Sequence, residues 1–156
     1  MRNELLQNAK TLHFVGIGGI SMSSLSAITK TKGYTVTGSD RTKSAMTERL
    51  EKLGITVHYS HSEDNVLDCD VIVYTAAVHP DNPELKKGSE RGIPLITRGE
   101  YLGWLMSEYK IRIGVSGTHG KSTVTSMLTE IYLAGEYDPT VVSGAELASI
   151  GGAYHL

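Results

Sequence analysis

From Thr11 onward, short runs of β-branched and apolar residues alternate with longer stretches whose apolar positions recur every three or four residues. That alternation predicts an α/β fold, a Rossmann-like parallel sheet with helices on both faces. Thr11 to Gly16 (TLHFVG) reads as a first strand. Ser21 to Lys32 reads as a helix, with Ser21 as its cap and Met22, Leu25, Ile28 and Thr29 spaced for one buried face. Tyr34 to Asp40 gives a second strand, Ala45 to Leu53 a helix stopped by Gly54, and Ile55 to Tyr59 a short third strand. Asp70 to Ala76 (DVIVYTA) carries a continuous apolar run, Val71 to Val73, which predicts a strand buried on both faces in the middle of the sheet. After His79-Pro80 and Asn82-Pro83, Glu84 to Arg91 reads as a helix and Ile93 to Thr97 as a fifth strand. A further helix over 99–109 would bury Tyr101, Leu102, Leu105 and Met106 and leave Trp104 partly exposed.

The pattern then restarts. Ile111 to Gly117 reads as a new strand, THGKST as a turn, Val124 to Leu133 as a helix and Thr140 to Gly144 as a closing strand. Charge does not change there, so the restart alone places a domain boundary, with one domain over 1–109 and the beginning of a second over 110–156. Length agrees with this division: the 46 residues after Lys110 suffice for one strand-helix-strand unit, and a complete P-loop domain needs more strands.

Composition removes several function classes. With 40% hydrophobic and 21% charged residues among 156, the chain can bury a core. A formal net charge of -2 without any basic cluster argues against nucleic acid as a partner. No apolar run approaches the ~20 residues needed to cross a bilayer, and 1–10 lacks a secretory signal, so no membrane role is expected and the protein is placed in the cytoplasm. The single cysteine, Cys69, sits between Asp68 and Asp70, which oppose a thiolate, and is read as inert.

The candidate chemistry lies in two glycine loops. Gly16-Ile17-Gly18-Gly19-Ile20-Ser21 follows a strand and opens a helix, matching G-x-G-x-x-G except at Ser21. Such a loop lets the backbone approach a phosphate while the helix start offers free N–H groups and a positive dipole end. Asp40, 24 positions after Gly16, stands where a Rossmann fold places the acid that binds a ribose hydroxyl. These glycines could equally serve only a tight turn. Gly117-Thr118-His119-Gly120-Lys121-Ser122-Thr123 has the context of a P-loop, although Val115 replaces its first glycine. Its amides can surround phosphate oxygens, Lys121 can reach the terminal phosphates and the Ser122 hydroxyl can ligate Mg²⁺, which points to ATP. Two anion-holding loops suit ATP-dependent chemistry on a nucleotide-linked substrate. A nicotinamide-dependent oxidoreductase would use only the first, and a nucleotide-binding regulatory module would perform no chemistry with either; both readings stay open.

The segments His13 to Ala27, Val36 to Asp40 (VTGSD), Asp81 to Glu84 (DNPE), Ile93 to Leu102 (IPLITRGEYL) and Gly114 to Thr123 (GVSGTHGKST) together resemble the start of a Mur ligase. The likeness runs from Leu5 to Leu133. The GIGG of Gly16 to Gly19 favours the branch that adds L-alanine over the branch that recycles murein peptides. Ser21 and Ser24 stand where glycine is usual, Thr75-Ala76-Ala77 where Ser-Ser-Ala is common, and Ser122 where threonine is common. The resemblance implies a ligase of peptidoglycan synthesis that uses ATP and Mg²⁺ to phosphorylate the carboxylate of UDP-N-acetylmuramate, after which the amine of L-alanine attacks the acyl phosphate. By matching positions, Gly16 to Ser21 would face the diphosphate, Asp40 the ribose or uracil, Thr75 to Ala77 would close the pocket, and His61 would touch substrate, against the alternative that His58, His61 and His79 are solvated loop histidines. Gly117 to Thr123 would hold ATP, with Lys121 and Ser122 catalytic and His119 near a phosphate. The family enzyme has more domains than 156 residues can hold, so a fragment is expected that binds the UDP moiety and does not ligate alone. Its apolar tail, Val141 to Leu156, would either pair with another chain, giving self-association, or be poorly ordered over its last ~10 residues.

Overall fold

The computed structural model describes residues 6–155. The chain divides into two compact units, Met1–Tyr109 and Lys110–Leu156. The first is a five-stranded parallel sheet. Its strands are β1 (Thr11–Val15), β2 (Thr35–Ser39), β3 (Thr56–His58), β4 (Val71–Tyr74) and β5 (Leu95–Thr97), in the order β3-β2-β1-β4-β5. β1 therefore occupies the middle and β4 is interior beside it. Leu12, His13, Phe14 and Val15 are all fully buried, as a strand covered on both faces requires.

The two faces separate by alternation along β1. Phe14 meets Tyr101 of α4 (Arg98–Ser107) edge-on at 5.5 Å, and the Tyr101 hydroxyl reaches Thr29 of α1 (Ile20–Thr31) at 2.6 Å. α2 (Ala45–Lys52) packs beside α1. On the opposite face, Val15 joins Val66, Cys69, Ile72 and Leu85, the last from α3 (Pro83–Glu90). Helices thus cover both sides, as the alternation predicts.

Three local expectations are corrected within this unit. α1 is capped by Gly19 without any side-chain hydrogen bond, so Ser21 is not its cap. Trp104 is buried, tilted against Tyr101 at 5.3 Å and edge-on to Tyr34 at 6.4 Å, because an aromatic cluster closes over it; Leu102 and Met106 are the half-buried residues. Asn82, which caps α3 through the amides of Glu84 and Leu85, makes Pro83 the first helical residue.

The second unit contains α5 (Lys121–Ala134) and the antiparallel pair β6 (Val141–Leu147) and β7 (Gly152–His155). Residues 112–117, expected as a strand, are irregular, and Ile111 and Ile113 are 69% and 49% exposed. A strand is stabilised by ladder partners, and no described strand lies alongside this one. The tail pairs with itself instead: Val141 lies opposite His155, and Val141, Leu147 and Ala153 are buried.

Candidate functional site

Strand register brings the candidate residues of the first unit together. Val15 is paired with Ser39 and Tyr74, Ser39 with His58, and Tyr74 with Thr97, so all five strands end on one line. The residues that follow, among them Gly16, Asp40, Thr75 and Arg98, emerge along that carboxyl edge. The chain runs from β1 to β2 on one side and returns to β4 on the other, which places a crevice between the ends of β1 and β4, the usual ligand position in an open α/β sheet.

The first glycine loop lies at this crevice. Gly16 has φ +80°, and a Cβ there would stand 3.2 Å from Thr75 Cγ2, so only glycine lets the turn sit against the residue after β4. Gly18 donates its amide to Asp40 Oδ2 at 2.8 Å, and a Cβ on it would come within 2.7 Å of that same oxygen. Asp40 Oδ1 accepts a second amide, from Thr42, at 3.1 Å. The Asp40 carboxylate, expected to face a ribose, is thus engaged in fixing the loop. Ile17 is fully buried, with its side chain against Gly38.

Loop amides differ in what they have left to offer. Those of Gly16 and Ile17 donate to the Ser39 carbonyl at 2.8 and 3.0 Å, and that of Gly19 to the Gly16 carbonyl at 3.3 Å. Ser23 is the first residue whose amide is bonded at the helix start, to Gly19 at 2.8 Å. The open donors at the start of α1 are therefore the amides of Ile20, Ser21 and Met22, and no acidic residue occupies that first turn. Arg98, at the start of α4, donates from Nη1 to the Ser21 hydroxyl at 3.2 Å and brings a guanidinium to the same turn. Ser24 is absorbed within the helix, its hydroxyl bonded to the Ile20 carbonyl at 2.8 Å.

His61 is a mostly buried residue, with its side chain 14% exposed, and not a solvated loop histidine. Its Nδ1 lies 2.8 Å from Glu84 Oε2 and 3.1 Å from Ser39 Oγ. Ser39 thus links His61 to the glycine loop, since its own carbonyl holds the Gly16 and Ile17 amides. Of the other predicted residues, Thr75 is half-buried at the crevice while Ala76 and Ala77 are exposed. His58 is half-buried and His79 is exposed. His13 is fully buried with Nδ1 2.8 Å from Thr37 Oγ1.

Sequence reasoning passed over Glu84, Asn65, Ser39 and Arg98. In sequence Glu84 is only the first residue of an expected helix, yet it is fully buried. Burial by itself would raise its pKa; the groups of His13, Asn65, Ser39 and His61 around it outweigh that and bring it down to about 2. Their spacing of 19 to 71 positions from Glu84 leaves no local signal. For Arg98 the signal available was its place directly after a strand end. Cys69 is buried, which together with Asp70 pushes its thiol up to about 11.

In the second unit, Gly117 to Thr123 are all exposed. Gly120 caps α5 in a left-handed conformation with no side-chain hydrogen bond, leaving the first-turn amides open. Lys121 Nζ folds back on the carbonyls of Gly117 (2.6 Å) and Thr118 (3.3 Å). Open amides, a lysine held only by neutral carbonyls, and the Ser122 hydroxyl form a donor set suited to a polyphosphate with its cation. Among the described residues no group of three or more His, Cys, Asp or Glu could hold a metal on protein ligands alone.

The family profile described as "Mur ligase family, catalytic domain" matches residues 11–110. This chain belongs to the Mur ligase family. It is 52% identical over 143 residues to the UDP-N-acetylmuramate--L-alanine ligase of Acetivibrio thermocellus, covering 92% of this chain and 30% of that protein. The ligase of the same name from Clostridium beijerinckii is 45% identical over 154 residues, 99% of this chain and 34% of that protein. Among solved structures, the UDP-N-acetylmuramate-alanine ligase of Thermotoga maritima superimposes with a TM-score of 0.87 at 37% identity, over 95% of this chain and 35% of that one. A Neisseria meningitides UDP-N-acetylmuramate:L-alanyl-gamma-D-glutamyl-meso-diaminopimelate ligase gives the same TM-score at 29% identity, over 94% of this chain and 46% of that one. This Mur ligase chain thus spans about a third of the length of the curated relatives it matches. No helix among its described residues is long and apolar enough to cross a membrane.

Proposed function

We propose that the first unit of this Mur ligase chain binds the uridine diphosphate end of UDP-N-acetylmuramate, for an ATP-dependent ligation to L-alanine that takes place in the cytoplasm during peptidoglycan synthesis. One observation carries the binding assignment: the open first turn of α1 and the Arg98 guanidinium meet at the crevice beyond β1 and β4. The amides of Ile20 and Ser21, with Met22, take the diphosphate. Gly16 and Gly19 let the backbone come close, Thr75 lines the crevice, Ala76 and Ala77 border it, and His61 faces the nucleoside. Ile17 and Gly18 act through loop shape, since their amides are already bonded, and Asp40 acts by holding Gly18.

Gly117 to Thr123 take the phosphates of ATP. Lys121 turns from its carbonyl partners to the terminal phosphates, His119 stands beside them without acid-base work, and Thr123 lies next to the metal-binding Ser122. A Mg²⁺ ion on Ser122 would supply charge neutralisation for transfer of the γ-phosphoryl group. The substrate carboxylate attacks that phosphorus with ADP leaving, and the amine of L-alanine then displaces phosphate and loses a proton. Because residues 112–117 form no strand, the second unit does not hold its loop on a sheet, and the chain by itself binds without ligating. A nicotinamide cofactor fits less well, because it would use the first glycine loop and leave Lys121 and the second loop without a role.

Thermal unfolding with added ligands tests the assignment. UDP-N-acetylmuramate is expected to raise the midpoint and NAD to leave it unchanged; a shift with NAD and none with the uridine nucleotide would refute it.

A further inference from the structure

Among the described residues Glu84 is the one fully buried carboxylate at the carboxyl edge of the sheet, and the phosphate-binding groups account for none of its contacts. Its Oε2 accepts from Ser39 Oγ at 2.7 Å and lies 2.8 Å from His61 Nδ1. Its Oε1 accepts from Asn65 Nδ2 at 2.7 Å, and His13 Nε2 stands 3.4 Å away without completing a hydrogen bond. Asn65 also donates to the Ser60 carbonyl at 2.8 Å, which ties down the segment carrying His61. Four pieces of chain, from β1, β2, the turn after β3 and the start of α3, are thereby fixed around one carboxylate.

The donor arithmetic determines a proton position. An ionised carboxylate only accepts, so the hydrogen between Glu84 Oε2 and His61 Nδ1 belongs to the imidazole. Ser39 gives its single hydrogen to the same oxygen and presents a lone pair to Nδ1, consistent with a proton there. In the neutral form of the ring that proton sits on Nδ1, which leaves Nε2 a bare lone pair. Among the described residues nothing is hydrogen-bonded to that nitrogen. Ser39, which holds the Gly16 and Ile17 amides through its carbonyl and His61 through its hydroxyl, ties this ring to the first glycine loop.

We propose that Glu84 is a positioning residue for nucleotide recognition: it locks His61 in the Nδ1–H form, so that Nε2 accepts a hydrogen bond from an N–H or O–H donor of the nucleoside. The inference rests on the proposed binding of a uridine nucleotide, and it adds that recognition beyond the phosphates depends on a buried carboxylate that never touches the ligand. Loss of that carboxylate frees the ring to rotate and to change tautomer, a defect felt by the nucleoside and not by the phosphates.

The test combines ring ¹⁵N spectra of His61 at neutral pH with titrations of the whole chain by UDP and by inorganic pyrophosphate. In the wild type the expected spectrum is that of a protonated Nδ1 and an unprotonated Nε2. Glu84→Met is expected to move the ring to a mixture of tautomers and to weaken UDP about tenfold, the loss of one bound-state hydrogen bond, while pyrophosphate binds as before. Glu84→Gln keeps an acceptor oxygen for Nδ1 while losing the Asn65 hydrogen bond, and is expected to restore both the tautomer and most of the UDP affinity. A protonated Nε2 in the wild type would overturn the proposal even if neither variant folds. Unchanged tautomer or unchanged UDP affinity in Glu84→Met would also overturn it. Failure of the wild type to bind UDP would instead refute the nucleotide assignment itself, whatever the tautomer.

Discussion

Glu84→Gln removes a charge from the interior while nearly preserving shape, and its effect on stability has a definite pH signature. In the folded chain the carboxyl pKa lies at about 2 against an ordinary value of 4.5. The difference of about 2.5 pH units corresponds to about 3 kcal/mol favouring the folded state when the group is ionised. Because the folded pKa is the lower one, this stability is fully present above the unfolded value and is lost as pH falls through the folded value. Linkage then gives a wild-type advantage over Glu84→Gln that is flat above about pH 6, smaller by about 1 kcal/mol at pH 4 and by about 2 kcal/mol at pH 3. Urea unfolding followed by Trp104 fluorescence is the suitable assay, since the only tryptophan is buried in the unit that holds Glu84. Subtracting the variant removes most of the other acids, including Asp70, whose pKa is lowered by the amides of Thr11 and Lys10. An advantage that stays constant from pH 6 to pH 3 would refute the claim that the four surrounding groups hold this carboxylate ionised.

Gly18→Ala places a Cβ 2.7 Å from Asp40 Oδ2 and 3.1 Å from Thr47 Cγ2, and is expected to destabilise the first unit by about 1 to 3 kcal/mol and to weaken UDP binding, measured by urea unfolding and calorimetry. Arg98→Met keeps an apolar stem but deletes the guanidinium at the α1 turn; UDP is expected to bind about tenfold more weakly and with a shallower salt dependence, while stability changes by less than about 1 kcal/mol. Cys69, buried and held near a pKa of about 11, is expected to react with a thiol reagent at pH 8 only slowly in the native chain and rapidly in urea.

The order of elements in the first unit was readable because each strand and helix carries its own period, its own stop residue and a glycine loop between them. The apolar run of β4 predicts a central place for it, and the observed order instead centres β1, where buried His13 breaks the apolar pattern with Nδ1 bonded to Thr37 and Nε2 without a completed hydrogen bond. What stayed hidden depends on pairing between distant residues. Glu84 has the sequence surroundings of a helix-start acid, and only the convergence of His13, Ser39, His61 and Asn65 makes it a buried anion. Residues 111–117 have the composition of a strand, yet a strand is realised only beside a ladder partner. Ser21 has the chemistry of a cap, but Gly19 takes that position and leaves the Ser21 hydroxyl for Arg98.

The binding assignment stands or falls with the start of α1 as the seat of the nucleotide's diphosphate. An amide-resolved NMR titration of the chain with UDP measures this most directly. The largest shifts are predicted at the amides of Ile20, Ser21 and Met22, with accompanying shifts at Arg98 and His61 and none at Lys121. Shifts confined to Gly117 through Thr123, or the absence of any shift at the α1 turn at saturating UDP, would contradict it.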